Sequence, residues 1–224
     1  MKKNEILRRQ ILTPMADIRL RESGEGEAPS RTITGYAILF DTPSEPLFVD
    51  GDTEFREVIA PEAVTLDLLD RSDIKFTMYH DHQYLLGRSR QGHGTLRYGV
   101  DTRGVSFELD LPCSPNGDEA LEMVRRGDIS GCSFAFSTCY GDDDCVERTY
   151  ERTGGRTRVM ARVKRIHGIH DFTLTPDPAY PATSVETRAL SELIRPAKGG
   201  RPPAPEVAAQ LAEMRRRARS GIIR

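Results

Sequence analysis

The sequence predicts an α+β fold rich in β-structure, most simply a partly closed and mainly antiparallel barrel with a few short flanking helices. Two observations support this fold class, and a third excludes a membrane protein. Short segments that alternate apolar and polar residues, rich in β-branched and aromatic side chains, recur along the chain. Helical patterns are short and few. No apolar run approaches the length of a membrane span, so a membrane protein is not expected.

The first half of the chain alternates predicted strands with one short helix. Residues 31–40 (RTITGYAILF) alternate as a strand does, and residues 54–64 begin as a strand and pass through Pro61 into a helix. Residues 73–80 (DIKFTMYH) alternate again. Residues 94–112 predict a hairpin that turns at the sequence DTRG.

The second half adds one helix and three strands. The helix covers 117–126, with acidic residues in its first turn and arginines in its last. The strands cover 129–137, 157–166 and 169–176. Between the first two of them, residues 137–156 are acidic and glycine-bearing with weak periodicity, which predicts a mobile surface loop.

Composition divides the chain into three parts: a polar N-terminal segment (1–30), a folded domain (31–190) and a basic C-terminal segment (191–224). The last part joins a linker, GGRPPAP, to a helix predicted over 206–220. It contains eight Lys or Arg and three Glu, a local charge of +5, so the rest of the −2 chain carries −7. The basic segment is either a solvated tail or a detachable, partner-binding piece.

Several classes of protein are disfavoured. The acidic body and the absence of aromatic residues among the basic ones argue against a nucleic-acid-binding domain. The N-terminal residues lack the continuous apolar core of a secretory signal. The four cysteines have no C-x-x-C spacing, and because no secretory signal is recognised we expect them to be reduced thiols in the cytosol.

The histidine-rich stretch MYHDHQYLLGR contains the first candidate functional residue. If the preceding strand continues, His80 shares a face with Ile74, Phe76 and Met78. An imidazole at the end of an apolar face is desolvated, which favours its neutral, proton-accepting form. The alternative is a structural histidine satisfied by a hydrogen bond.

Two later strands carry the other candidates. Ser133 lies on the small-residue face of GCSFAFS, above which we expect a shallow groove, while the aromatic face belongs in a core. Asp171, in IHDFTL, is a carboxylate among apolar neighbours and therefore needs a partner such as an imidazole. Most serines on strands have no catalytic role, but a hydroxyl, a base and an orienting third group together suit nucleophilic catalysis. A G-x-S-x-G elbow is absent, so such chemistry requires another scaffold.

These motifs resemble those of the tailed-bacteriophage prohead proteases, capsid maturation enzymes whose fold is similar to that of herpesvirus assemblins. The resemblance runs from about Thr32 to Val185. The residues that match the family pattern are His80, Asp81, Gly87 and Arg88, then Gly127, Asp128, Gly131, Ser133 and Phe136, and finally Asp171, Pro178 and Ala179.

The resemblance implies that Ser133 is the nucleophile, His80 the general base and Asp171 the orienting third member. The family often has glutamate at the position of Asp171, and assemblins use a histidine in this role, so His167 and His170 stay open as alternatives. Backbone amides near Ser133, or a basic side chain such as Arg162 or Arg165, are candidates for the oxyanion hole. No cofactor and no metal are expected.

The resemblance also implies an assemblin-like fold and a serine endopeptidase of phage procapsid maturation. Its expected substrates are the scaffolding part of the major capsid protein and the chain itself, cut within the proline-rich residues 176–205. We expect a homo-oligomer, such as a dimer, acting inside the assembling procapsid in the host bacterial cytoplasm, with no nucleic-acid or membrane partner.

Two other functions are considered. The first is a non-enzymatic capsid-assembly or scaffold module with the same fold. The second is a metal site in which His80 and His82 bind from one strand and Asp171 or a cysteine completes the coordination. Both are weaker than the protease interpretation, because all three candidate residues of a hydrolytic site are present and ligand pairs at metal-finger spacing are absent.

Overall fold

The computed structural model of the chain describes residues 7–13, 16–22, 24 and 30–176. Most of the proline-rich stretch and the whole basic C-terminal segment, with its predicted helix over 206–220, lie outside the described residues. None of the described helices is long and apolar enough to cross a membrane.

The described part of the chain is rich in strands and contains few, short helices, as the sequence predicts. In chain order its strands are β1 (Leu7–Thr13), β2 (Arg19–Leu20), β3 (Thr32–Leu39), β4 (Phe48–Asp50), β5 (Thr53–Ile59), β6 (Asp73–Met78), β7 (Asp81–Arg90), β8 (His93–Gly94), β9 (Leu96–Val100), β10 (Gly104–Asp110), β11 (Gly131–Thr138), β12 (Val146–Thr153), β13 (Arg156–Val163) and β14 (Gly168–Thr175). The helices are a 3₁₀ turn (Pro61–Ala63), α1 (Leu66–Arg71) and α2 (Pro115–Arg126).

The strands form three sheets. A six-stranded sheet has the order β1-β11-β14-β6-β7-β8, and two four-stranded sheets have the orders β2-β3-β10-β9 and β12-β13-β5-β4. Paired strands are antiparallel, except that β14 is parallel to β6 and β13 is parallel to β5. Within the described residues no sheet closes on itself, because β1 and β8 end the six-stranded order without pairing to each other. The partly closed barrel and the assemblin-like fold are therefore not confirmed, whereas the β-rich class is.

The main core lies between the six-stranded sheet and the sheet that contains β3 and β10. Phe76 of β6 is fully buried and contacts Phe107 of β10, with their ring centroids 4.9 Å apart. The aromatic face of β11 is buried as predicted; its members are Cys132, Phe134 and Phe136. The small-residue face is not an open groove, since Ala135 is also fully buried and Ser133 is only 7% exposed.

The prediction of a mobile loop over residues 137–156 is wrong for the second half of that range. Residues Val146–Thr153 form β12, which pairs with β13 through a two-residue turn at Gly154 and Gly155. Both glycines have positive φ, 60° and 83°, a conformation that suits a tight hairpin turn. Because β12 is an edge strand rich in exposed charged residues, its sequence resembles a loop, and charge on an edge also prevents unwanted strand pairing.

The polar N-terminal segment contains two strands where the sequence shows no apolar periodicity. Strand β1 pairs along its length with β11, the strand of Ser133, and β2 pairs with β3. Between them Ala16 is fully buried, and its carbonyl accepts a hydrogen bond of 2.7 Å from the Tyr36 amide. Backbone hydrogen bonds to neighbouring strands hold these short strands in place. Because such bonds do not require a particular order of side chains, the sequence pattern does not reveal these strands.

Candidate active site

A tight turn between β6 and β7 presents His80. Strand β6 ends at Met78, which pairs with Asp81, so Tyr79 and His80 are the two central residues of the turn. Both have φ of 57°, in the left-handed region, as in a type I′ hairpin turn. His80 therefore does not continue the apolar face of Phe76 and Met78, as alternation predicted, because the chain reverses before that residue. Non-glycine residues with positive φ are uncommon and cluster at functional sites, although histidine is among the more tolerant types.

The turn is held against the neighbouring strand by a threonine hydroxyl. The His80 amide donates to Thr173 Oγ1 at 2.9 Å, and Thr173 Oγ1 donates to the Thr77 carbonyl at 3.0 Å. The Thr77 hydroxyl lies 3.0 Å from the same oxygen and donates to it. One donor and two acceptor positions are all that a hydroxyl offers, so Thr173 is saturated. Both threonines are fully buried, which fixes the turn on β14.

Strand register places Ser133 and Asp171 on the face that this turn covers. Ser133 is paired with Thr173 and Ala135 is paired with Asp171 across β11 and β14, so these side chains share one face of the sheet. Ser133 and Asp171 are diagonal neighbours there, within reach of one imidazole.

The imidazole of His80 joins the other two candidate side chains. His80 Nδ1 lies 2.6 Å from Asp171 Oδ1, and His80 Nε2 lies 2.8 Å from Ser133 Oγ. Asp171 is 1% exposed and the His80 side chain 18% exposed, so the chain of hydrogen bonds is shielded but accessible at its centre. A buried carboxylate needs such a partner, because an unpaired buried charge is costly.

The hydrogen bonds define what the site can do chemically. When the Nδ1 proton is donated to Asp171, the Nε2 lone pair faces the Ser133 hydroxyl and accepts its proton. A hydroxyl activated by a base that a third group orients is the arrangement of nucleophilic acyl transfer. Serine hydrolases use side chains in this geometry.

The side chain that His80 Nδ1 contacts is Asp171, and neither His167 nor His170 takes that place. The ring of His167 contacts a thiol instead, with Nε2 3.2 Å from Cys139 Sγ, and His170 lies at a register shift of β14 between Ile169 and Asp171. The metal site considered with His82 is also absent from the described residues, where one close group of three ligand side chains is found, and it contains neither His80 nor His82.

Two residues of the family motif support the hairpin from a distance. The Arg88 guanidinium donates to both carboxylate oxygens of Asp73, at 2.6 and 2.7 Å, and so ties β7 to the start of β6. At Gly87 an added Cβ would lie 2.4 Å from Cδ1 of the buried Leu109, so a larger residue here would require the Leu109 side chain to move. The Gly-Arg pair thus stabilises the stem of the hairpin that carries His80.

The oxyanion-hole candidates are not supported by these contacts. Strand β11 is flanked on both sides by antiparallel partners, so its backbone amides are used in the two ladders. Arg162 is held by Asp41 at 2.6 Å, and the Arg165 carbonyl accepts from Thr138, at the opposite end of β11 from Ser133.

Thr173 and Thr77 are the residues that sequence reasoning missed. Thr173 lies two residues after Asp171, so strand alternation by itself places both side chains on one face. Strand alternation does not predict the turn conformation that directs the His80 amide toward the Thr173 hydroxyl.

The chain matches a known protein family. The family model described as caudovirus prohead serine protease matches residues 16–195. Because the match covers most of the chain, the chain belongs to the prohead serine protease family, whose members act in capsid maturation of tailed phages. Searches of curated proteins and of solved structures each gave no match.

Replacing Thr173 is expected to misplace His80. Thr173→Val removes the acceptor for the His80 amide, and we expect labelling of Ser133 by an organophosphonate serine probe to slow by about 100-fold, since small misplacements of reacting groups cost that much. Thr173→Ser keeps the hydroxyl and is expected to label within about threefold of the parent rate. Full-rate labelling of a folded Thr173→Val protein would show that the hydroxyl does not position the base.

The ion pair at the base of the hairpin is expected to make stability depend on pH. The hydrogen bond from Arg88, with a contribution from Lys75, holds the pKa of the Asp73 carboxyl well below its usual range. A depressed folded-state pKa stabilises the protein above the unfolded value of about 4, and this stabilisation is lost as the pH falls toward the folded value.

Asp73→Asn should therefore unfold at lower urea concentration than the parent at pH 7, and the difference should shrink progressively below about pH 4. The effect is modest because the pair is partly exposed. Asp67→Asn is the matched control, since Asp67 accepts a single bond from exposed Arg71 and should change stability less. A difference that stays constant from neutral to strongly acidic pH would contradict this role for Asp73.

Proposed function

We propose that this chain is a serine endopeptidase in which Ser133 is the nucleophile, His80 the general base and Asp171 the orienting group. The observation that carries the proposal is the pair of contacts that His80 makes, 2.8 Å from Nε2 to Ser133 Oγ and 2.6 Å from Nδ1 to Asp171 Oδ1. Membership of the prohead serine protease family supports the same assignment.

In the acylation step Ser133 Oγ attacks the peptide carbonyl carbon while its proton passes to His80 Nε2. The resulting imidazolium is stabilised by the buried Asp171 carboxylate, which itself stays ionised. The tetrahedral intermediate then collapses: His80 gives its proton to the amine nitrogen, the peptide C–N bond breaks, and an acyl-enzyme remains. Water, deprotonated by His80, releases the new carboxyl terminus and restores the serine.

The negative oxygen of the intermediate needs hydrogen-bond donors, each worth about 2.7–4 kcal/mol of barrier. Since the ladder amides of β11 are engaged, these donors come from outside the strand of the nucleophile. The hydrophobic surface beside His80 suits an extended polypeptide: Tyr79 and Tyr84 are 44% and 36% exposed, and their rings meet edge to face at 6.3 Å.

The substrate we propose is the scaffolding part of the major capsid protein, presented inside the assembling procapsid in the host bacterial cytoplasm. Family membership supports a role in capsid maturation, and irreversible cleavage of an internal scaffold commits the shell to its next state. The enzyme acts as a homo-oligomer, such as a dimer, and its basic segment 191–224 binds acidic partner surfaces until it is released.

Co-expression with the cognate capsid protein tests the catalytic assignment. Ser133→Ala and His80→Ala should abolish processing, and Asp171→Asn should lower the rate by roughly 10⁴-fold, because the imidazole loses its orienting carboxylate. Processing is followed by gel electrophoresis and by the mass of the mature capsid protein.

Two matched controls lie close to the proposed catalytic residues. Ser137→Ala removes a second serine of the same strand, and His82→Ala removes the histidine two residues after the proposed base; both should leave processing within about twofold of the parent. Unchanged processing in folded Ser133→Ala and His80→Ala would instead favour the non-enzymatic assembly module.

Self-cleavage makes a separate prediction. Purified active protein should lose its C-terminal basic segment through a cut within residues 176–205, seen as a lower intact mass, because the proline- and glycine-bearing composition of this stretch is typical of linkers that proteases cut. Ser133→Ala should keep its full mass under the same conditions. An active enzyme that retains its whole C-terminus would contradict self-cleavage without touching the assignment of the nucleophile.

A further inference from the structure

Two thiols and an imidazole meet at the end of β11 that lies away from Ser133. Cys139 follows the last residue of β11, Cys145 precedes β12 and His167 precedes β14. Their ligand atoms all lie within 4.8 Å of one another. His167 Nε2 is 3.2 Å from Cys139 Sγ and 3.9 Å from Cys145 Sγ. Both thiols are buried, at 6% and 2% exposure, while the histidine is exposed.

A thiol–imidazole hydrogen bond accounts for only part of this arrangement. Nε2 of a histidine is either one donor or one acceptor, so it cannot pair fully with both Cys139 and Cys145. A tetrahedral zinc ion with Zn–S of about 2.3 Å and Zn–N of about 2.0 Å requires S···N separations of about 3.6 Å. The two observed separations lie on either side of that value, so small side-chain rotations bring all three atoms to bonding distance.

The backbone already holds the ligands in place. The Cys145 carbonyl accepts the Lys164 amide at 2.7 Å, and the His167 amide donates to the Ser137 carbonyl at 2.8 Å. The residue after Cys139 is Tyr140, which is 1% exposed and donates its hydroxyl to Glu57. Ligands that are positioned before binding lose less conformational entropy when the metal enters.

We propose that Cys139, Cys145 and His167 bind one Zn²⁺ ion, whose fourth position opens to solvent on the side of the exposed histidine. Thiolate and imidazole ligands favour zinc over Mg²⁺ or Ca²⁺, which prefer oxygen. Binding releases the two thiol protons to solvent, so that Zn–S bonds replace the S–H bonds.

The ion ties the loop between β11 and β12 to the start of β14. Strand β14 carries Asp171 four residues after His167, so the metal clamps the same strand that holds the candidate catalytic carboxylate. The proposed ion restrains these segments, takes no part in the proposed proteolysis and uses side chains that the proposed mechanism leaves unused.

The test uses the full-length chain with Ser133→Ala, which prevents self-cleavage and makes the result independent of the proposed function. The reduced protein is stripped with a chelator, loaded with Zn²⁺ and freed of excess metal, and bound zinc is measured by mass spectrometry. We expect about one zinc per chain and a melting temperature that rises on loading. In Cys139→Ser and His167→Ala the bound zinc and the rise in melting temperature should both be lost. The affinity of these variants for zinc should be at least tenfold lower than that of the parent.

Matched controls and a spectroscopic readout keep the outcome clear. Cys113→Ser and His93→Ala replace an exposed cysteine and an exposed histidine outside the cluster, and both should bind zinc as the parent does. Co²⁺ in the parent should show a thiolate-to-cobalt charge-transfer band, which does not require any cluster variant to fold. Zinc binding equal in parent and cluster variants, the absence of that band, or a Cys139–Cys145 disulfide in place of bound metal would overturn the proposal.

Discussion

The hydrogen bond from the His80 amide to the Thr173 hydroxyl is the contact on which the candidate active site depends. A turn made of two non-glycine residues with positive φ is costly unless its surroundings hold it. Thr173 provides that support from the neighbouring strand, in a buried position where a broken hydrogen bond would leave polar groups unsatisfied. The imidazole is therefore positioned by its backbone as well as by its two ring contacts.

This arrangement follows from the order of strands in the six-stranded sheet. Three adjacent strands, β11, β14 and β6, place Ser133, Thr173 and Thr77 side by side, because the registers β11–β14 and β14–β6 both align at Thr173. The hairpin that begins with β6 then folds its turn over that row. Rigid strands hold two of the three candidate catalytic groups, and the third sits on a turn whose stem is secured by Gly87 and Arg88.

The same strands connect the candidate active site to the thiol–imidazole cluster. Strand β11 has Ser133 near its beginning and Cys139 just past its end, and β14 has His167 just before its beginning and Asp171 within it. The antiparallel pairing of β11 with β14 thus creates one polar constellation at each end of the pair. Each group of side chains contains an imidazole beside a potential nucleophile, but the second partner of the imidazole differs. It is the buried Asp171 carboxylate for His80 and the Cys145 thiol for His167.

The sequence by itself determined the β-rich class, the location of most central strands, the buried aromatic face of β11 and the choice of His80, Ser133 and Asp171 as candidates. These features are local, since alternation, turn residues and side-chain chemistry act over a few residues. Where the local pattern was weak, strands were missed. The charged edge strand β12 was wrongly predicted as part of a loop, and no strand was predicted at β1.

Tertiary structure alone decided which of these residues meet. The contact of the Tyr79–His80 turn with Thr173, the partners of Gly87 and Arg88, and the convergence of Cys139 with His167 all join segments that are separated in the chain. Such contacts depend on strand order and register, which are set by how whole faces pack, and a one-residue change in register would turn every side chain to the other face. No local pattern carries that information.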